Sequence, residues 1–355
     1  MKVLNWLLLL VPITIALEFL APERHLLIFF ASAIAILPLA GWMGRATEQL
    51  AERMGEGVGG LLNATFGNAA ELIIALAALR AGLHDVVKAS IIGSIVGNIL
   101  LVLGAAMLAG GLRHREQSYG AAGARSQATM LTLAAIALVL PAAFQIAAGS
   151  TPALLSMLSI AISVVLLVVY GLYLVFSLVT HASLFSGSHE AGEGEGHAAP
   201  WSIGRSAATL AVATVAVAWI SEIMVGAIEP TAHELGLSNV FVGVFVVAIL
   251  GNAAEHATAI TVALKNRMDL SLSIAIGSSV QVALFVAPLL VLVSLFLGPA
   301  PMDLAFAPGL VLIVLLSVLI TGQVAGDGRS DWLKGLQLLA VYLVLGLTYF
   351  FLPGG

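Results

Sequence analysis

Two short stretches of this sequence place an amide and a carboxylate one helical turn apart inside long apolar runs. Gly67-Asn68-Ala69-Ala70-Glu71 recurs letter for letter as Gly251-Asn252-Ala253-Ala254-Glu255. The three-residue spacing puts Asn68 with Glu71, and Asn252 with Glu255, on one helix face. Ionisable groups in such segments usually face a bundle interior or a water-filled cavity and mark a functional site. Two carboxylates and two amides are hard oxygen donors, and backbone carbonyls or waters would complete the roughly six to eight oxygens preferred by Ca²⁺. With no cysteine and no convergent histidine pair, zinc and soft-metal chemistry is disfavoured. Two facing carboxylates in a low dielectric repel each other, so without a cation at least one takes up a proton. Ca²⁺ and protons would then displace one another at Glu71 and Glu255, which suffices for antiport if access alternates between the two sides.

Gly67 and Gly251 lie one turn before the glutamates. Either the helix unwinds there and offers carbonyls to the cation, or the glycines permit close helix packing; both readings stay open. His256 is next to Glu255 but about 100° around the helix. It either reaches the cation or proton path or packs beside it.

These residues need a scaffold that spans a membrane. The 355-residue chain is 60% hydrophobic and 9% charged, against roughly 25% charged in soluble proteins, and its mean hydropathy is +1.08. Apolar runs long enough to cross a bilayer recur throughout. The net charge of −5 is small, and no basic cluster suggests nucleic acid. The absence of cysteine excludes disulfides and thiol catalysis. The reading is an all-α polytopic membrane protein with eleven transmembrane helices, over 3–20, 26–43, 57–79, 86–111, 127–148, 152–180, 204–227, 238–263, 270–297, 304–321 and 332–352. The first run exceeds a signal-peptide core and is taken as a membrane helix. The second has a charged extension to Gly55 that would leave the membrane.

Placing the N-terminus in the cytoplasm puts Lys2, Arg45, Arg53, Arg113, Arg115, Arg125, Arg205, Lys265, Arg267, Arg329 and Lys334 inside. Only Arg24, Arg80 and Lys88 fall outside, which leaves the C-terminus outside too. The short N-terminus and lack of a soluble domain suit a prokaryotic plasma membrane. A Gly- and Ala-rich bundle is compatible with a monomer or a homo-oligomer.

The two motifs are offset by 255 − 71 = 184 residues, and Gly93-Ser94 and Gly277-Ser278 repeat that offset. Asn98 and Gln281 follow these serines at helical spacing. The chain therefore divides into an extra first helix (1–25), a five-helix repeat (26–180), a linker (181–203) and a second five-helix repeat (204–355). An odd helix number makes the second repeat enter from the opposite side, giving inverted repeats with a site near the midplane. The linker, with His189-Glu190-Ala191-Gly192-Glu193-Gly194-Glu195-Gly196-His197, is acidic and glycine-rich and reads as a flexible hinge.

The twin motifs, the continuation Glu255-His256-Ala257-Thr258-Ala259 and Gly277-Ser278-Ser279-Val280-Gln281 resemble the Ca²⁺/H⁺ exchanger family of the cation/Ca²⁺ antiporter superfamily. The resemblance covers nearly the whole chain. It implies that Glu71 and Glu255 bind the cation and the proton, with Asn68 and Asn252 beside them. It also implies that Ser94, Asn98, Ser278 and Gln281 line the passage and that the second and seventh helices slide as gates. Ca²⁺ is then a transported substrate exchanged for H⁺ and exported, and no cofactor is implied. Na⁺/Ca²⁺ exchangers carry Pro-Glu after small hydroxyl residues; here Ala-Glu follows Gly-Asn, which resembles the proton-coupled branch. Thr65 has Ile249 as its repeat counterpart, so a hydroxyl ligand there would make the half-sites unequal.

Na⁺-coupled exchange and exchange of another cation such as Mn²⁺ are the alternatives. A channel with carboxylate rings usually assembles them by oligomer symmetry, whereas this chain supplies its own pair. An intramembrane enzyme lacks a His-Glu-x-x-His or Gly-x-Ser-x-Gly signature, and an ATP-driven pump lacks a phosphate-binding loop. Of the remaining charges, Glu18 reads as interfacial, and Glu222 and Glu229 as a helix end or an entry funnel. His84-Asp85 and His233-Glu234 fall on the outer side and read either as groups that attract cations or as solvated turns, and Asp303 as the cap of the tenth helix.

Overall fold

The structure, a computed structural model, describes residues 5–54, 56–148, 151–182 and 201–351. Most of the Gly/Glu/His linker, residues 183–200, lies outside the described residues. In chain order the helices are α1 Leu7–Leu20, α2 His25–Met54, α3 Glu56–Phe66, α4 Ala69–Arg80, α5 His84–His114 and α6 Ala121–Ala148. They continue as α7 Pro152–Thr180, α8 Ile203–Gly226, α9 Ile228–Leu235, α10 Asn239–Gly251 and α11 Ala253–Leu264. The last are α12 Met268–Val293, α13 Pro308–Val324 and α14 Trp332–Phe350. Among the described residues, seven helices are long and apolar enough to cross a membrane, or eight if α9 and α10, bent by 115°, count as one span.

Local chemistry sets the helix ends. Ser202 and Ser238 cap α8 and α10, accepting bonds from Arg205 N and Phe241 N. Pro152 and Pro308 occupy first-turn positions, where the missing N–H is not needed. Gly236, at φ +67°, ends α9 in the left-handed conformation that glycine adopts without strain. The structure corrects the Asp303 assignment: α13 starts at Pro308 with Ala307 as its cap, and Asp303 Oδ1 instead accepts from Ala305 N at 2.8 Å.

The chain packs as two compact units, each drawing on both sequential halves. The first comprises Met1–Ser90, Gly196–Ala254 and Phe350–Gly355. Its core is α2 against α8, with Ile28, Phe29, Ala33 and Ile36 buried on one helix and Ala213, Val217, Ile220 and Met224 on the other. Helix α1 lies against both, and α8 also packs on α4. Arg80, ending α4, pairs with Glu222 of α8 at 2.7 Å. That accounts for Glu222 as a partly solvated ion pair, a class that contributes little stability on its own.

The second unit comprises Ile91–Glu195 and Glu255–Tyr349. Here α5 packs on α12, α6 on α13 and α7 on the end of α12. The all-α expectation needs one correction. Glu116–Ser118 (β1) pairs antiparallel with Arg329–Asp331 (β2) in this unit, Gln117 opposite Ser330. The ribbon belongs to a polar cap on α11. Buried Gln117 donates through Nε2 to Ala263 O (2.9 Å) and Asn266 Oδ1 (3.0 Å), and His114 Nε2 donates to Leu264 O (2.9 Å). These bonds satisfy carbonyls that every helix end leaves open. Beside the ribbon, a hydrogen bond from Lys334 holds the exposed Asp327 carboxyl below its ordinary range.

Glycine lets α14 approach α5. A Cβ on Gly335 would overlap the Leu108 amide nitrogen and lie 2.6 Å from Gly104 O, whereas one on Gly322 meets nothing within 4 Å. Gly335→Ala is expected to destabilise by about 1–3 kcal/mol, and Gly322→Ala to leave stability unchanged or slightly raised. Thermal unfolding of the purified protein in detergent checks this; equal effects of the two substitutions would contradict it.

Candidate functional site

Each motif interrupts its helix. The helix predicted over 57–79 is two helices: Gly67 N still bonds Asn63 O at 2.8 Å, but Asn68 leaves helical geometry at φ −99°, ψ 27°. The helix predicted over 238–263 breaks at Asn252, whose backbone is nearly the same at φ −102°, ψ 3°. The halves α3 and α4, of 11 and 12 residues, are about 17 and 18 Å long at 1.5 Å per residue. Alone, neither crosses a hydrocarbon core of about 30 Å. Each asparagine directly precedes a new helix, and each glutamate lies in that helix's first turn.

This placement has an electrostatic consequence. The first turn of a helix presents open N–H groups and about half a positive charge, which stabilises an anion in apolar surroundings. Both carboxylate oxygens of Glu71 and Oε2 of Glu255 are buried, although the residues as wholes are partly exposed. Asn68 and Asn252 are 3% and 2% exposed. Asn252 Nδ2 donates back to Ala248 O at 3.0 Å, beside the break.

Within the first unit the two motifs adjoin. A Cβ on Gly251 would sit 3.6 Å from Glu71 Cγ and 3.7 Å from Ile74 Cδ1, ordinary van der Waals contact. No backbone approach therefore demands glycine at 251, and the helix breaks immediately after it. Thr65 Oγ1 donates to Leu61 O at 2.8 Å within its own helix.

The polar residues of α5 and α12 belong to the second unit, as does His256. Both helices widen into π turns with i→i+5 bonding, at Gly97–Val102 and Val282–Val286. Such turns redirect side chains and are frequent at functional sites. Asn98, 1% exposed, donates through Nδ2 to Ser278 Oγ at 3.1 Å, and its Oδ1 lies 3.2 Å from His256 Nε2. In this arrangement the imidazole proton is on Nε2, and α5, α11 and α12 are joined through one amide. Ser94, Ser278 and Gln281 are buried. Among the described residues, no cluster of three or more His, Cys, Asp or Glu could hold a metal ion.

Sequence reasoning missed some of these features. Ser279 donates to Ile95 O at 3.2 Å, and these residues are 279 − 95 = 184 apart, so the repeat offset carried a signal for that contact. Nothing in residue type announced the π turns or the His114 and Gln117 cap.

The features together describe a polytopic helical membrane protein with broken helices and buried carboxylates. The profile of the sodium/calcium exchanger protein family matches residues 24–179 and 205–351. The chain belongs to that family. It is 46% identical to a Ca²⁺/H⁺ antiporter from Aphanothece halophytica over 98% of this chain and 96% of that one. It is 42% identical to the Ca²⁺/H⁺ antiporter ChaA of Bacillus subtilis over 92% of each. Its fold matches the solved structure of the Ca²⁺/H⁺ antiporter YfkE with a TM-score of 0.81 at 37% identity, covering 98% of this chain and all of that one.

Asn98→Leu removes both bonds that join the three helices. It is expected to destabilise by about 1–3 kcal/mol, the range for leaving buried polar partners unsatisfied, and Ser278→Ala by less. Chemical-denaturant unfolding in detergent measures both; an Asn98→Leu protein as stable as the parent would contradict the assignment.

Proposed function

We propose that this protein is a secondary antiporter that exchanges Ca²⁺ for H⁺ by alternating access and exports Ca²⁺ from the cytoplasm. The observation that carries the reading is the pair of matching helix breaks, which set Glu71 and Glu255 in first turns directly after buried asparagines. The two glutamates bind the cation and the proton in turn. Asn68 and Asn252, with the carbonyls at Gly67 and Gly251, complete the oxygen shell. Ser94, Asn98, Ser278, Gln281 and His256 line the passage.

The proposed architecture is eleven spans: α1, then α2 to α7 as five with α3 and α4 forming one broken span, and α8 with α10 to α14 as the inverted five, with α10 and α11 forming the other broken span and the eight-residue α9 a connection that does not cross. Equivalent breaks at Asn68 and Asn252, and π turns whose starts relate by 282 − 97 = 185, one residue from the motif offset, support the inverted repeat. On this reading α2 and α8 are the gates, and their contact rich in small residues such as Ala33, Ala35 and Ala213 offers a smooth sliding surface. The Lys and Arg distribution supports a cytoplasmic N-terminus and an outer C-terminus in a prokaryotic plasma membrane.

Relatives named as Ca²⁺/H⁺ antiporters support the ion pair, while the family's name also covers sodium coupling, so the test has a Na⁺ arm. ⁴⁵Ca²⁺ uptake into proteoliposomes is expected under an imposed pH gradient without Na⁺. It should fall at least about 100-fold, equivalent to some 2.7 kcal/mol, in Glu71→Gln and in Glu255→Gln. Uptake that requires Na⁺, or that survives either substitution, would refute the two-glutamate exchange.

A further inference from the structure

The first unit holds a cavity of about 460 Å³ between α1 and α8, and every residue lining it is apolar. Val11 and Ile15 form one wall and Val212, Val215, Ala216 and Trp219 the other. A groove of this kind on a membrane protein needs an occupant, and the chemistry at its end identifies one. Six residues before Val11, Asn5 Oδ1 accepts a bond from Trp42 Nε1 at 3.2 Å, which fixes this end of α1 to α2. Trp42 stacks on Trp201 with ring centroids 5.6 Å apart, and the exposed Arg205 guanidinium lies 4.5 Å from the Trp201 ring centroid. Trp201 N in turn donates to Gln49 Oε1 of α2 at 2.8 Å. The lining of the groove ends at Val11 and Ala211, and six residues before each, at Asn5 and Arg205, stands a fixed platform of two indoles and a cation. Glu52 Oε2 accepts from Gln49 Nε2 at 3.0 Å within α2, and the exposed Arg205 over the Trp201 ring is the cation of this platform. At 1.5 Å per residue, Ala211 lies about 9 Å and Trp219 about 21 Å along α8 from Arg205, a reach matching the headgroup-to-tail extent of a lipid in one leaflet.

We infer that this groove is a binding site for an anionic glycerophospholipid. The phosphate sits at Arg205 over the Trp42–Trp201 pair, where indoles favour the headgroup level, and one acyl chain lies between α1 and α8 down to Trp219. Van der Waals contact and charge pairing hold it; no covalent step is involved. The site is independent of the ion assignment. It gives α1 a task beyond spanning the membrane, because a lipid wedged there touches α1 and α8 together.

Tryptophan quenching by lipids brominated along the acyl chain tests this in vesicles of the full-length protein. The Trp219 signal is isolated as the difference between the parent and Trp219→Phe. At equal mole fraction, brominated phosphatidylglycerol is expected to quench Trp219 at least 3-fold more effectively than brominated phosphatidylcholine. Arg205→Gln should abolish that preference, as should Ala216→Phe, which fills the groove. Arg205 is exposed, so its variant keeps the test decisive even if Ala216→Phe fails to fold. Quenching indifferent to headgroup, preference unchanged in Arg205→Gln, or no quenching because a second copy of the chain covers the groove would each overturn the proposal.

Discussion

A carboxylate buried in an apolar span is costly, and the first constraint on this chain is how to keep two of them. The solution is the same at both motifs. An asparagine interrupts a long apolar helix, a second helix begins at the next residue, and the glutamate occupies its first turn. Open N–H groups and the helix dipole there offset part of the cost of placing a carboxyl group in apolar surroundings. The interruption also frees backbone groups that must find partners. The same break that tolerates the carboxyl group thus creates the polar surface on which the proposed exchange of a cation for protons rests.

Much of the surrounding structure fixes those breaks. Behind Glu255, α11 is held at its far end by Gln117 and His114, and His256 is joined through Asn98 to Ser278. In the first unit, Gly251 lies against Glu71, and the α2–α8 contact is built largely from small and aliphatic side chains. Rigid polar attachment in one unit and smooth packing in the other suit a transporter that must hold ligands firmly while its gates move. That mechanical contrast belongs to the proposed cycle and follows from residue type: amides and imidazoles give directional bonds, alanines do not.

The sequence made the membrane class and the motif pair legible because both depend on short-range pattern. Apolar length identifies spans, and the repeated Gly-Asn-Ala-Ala-Glu stands out where polar residues are rare. The glycine pointed to a break, but its location at the following asparagine depends on backbone angles that composition does not reveal. Asp303 misled because an Asp after two prolines resembles a helix cap, whereas Pro308 is the residue that starts α13. The β1–β2 ribbon was invisible because three-residue strands carry no periodicity. The His256–Asn98 contact was out of reach because it joins residues 158 positions apart, beyond any argument from helical spacing.

The central claim is that one pair of carboxylates holds both Ca²⁺ and protons. Its most direct test is Ca²⁺ binding to the purified protein in weakly buffered solution, with proton release followed by an indicator dye across pH. The account predicts that Ca²⁺ binding releases protons, that Ca²⁺ affinity falls as pH falls, and that Glu71→Gln and Glu255→Gln each reduce both the release and the affinity. Ca²⁺ binding with no proton release and no dependence on pH would contradict it.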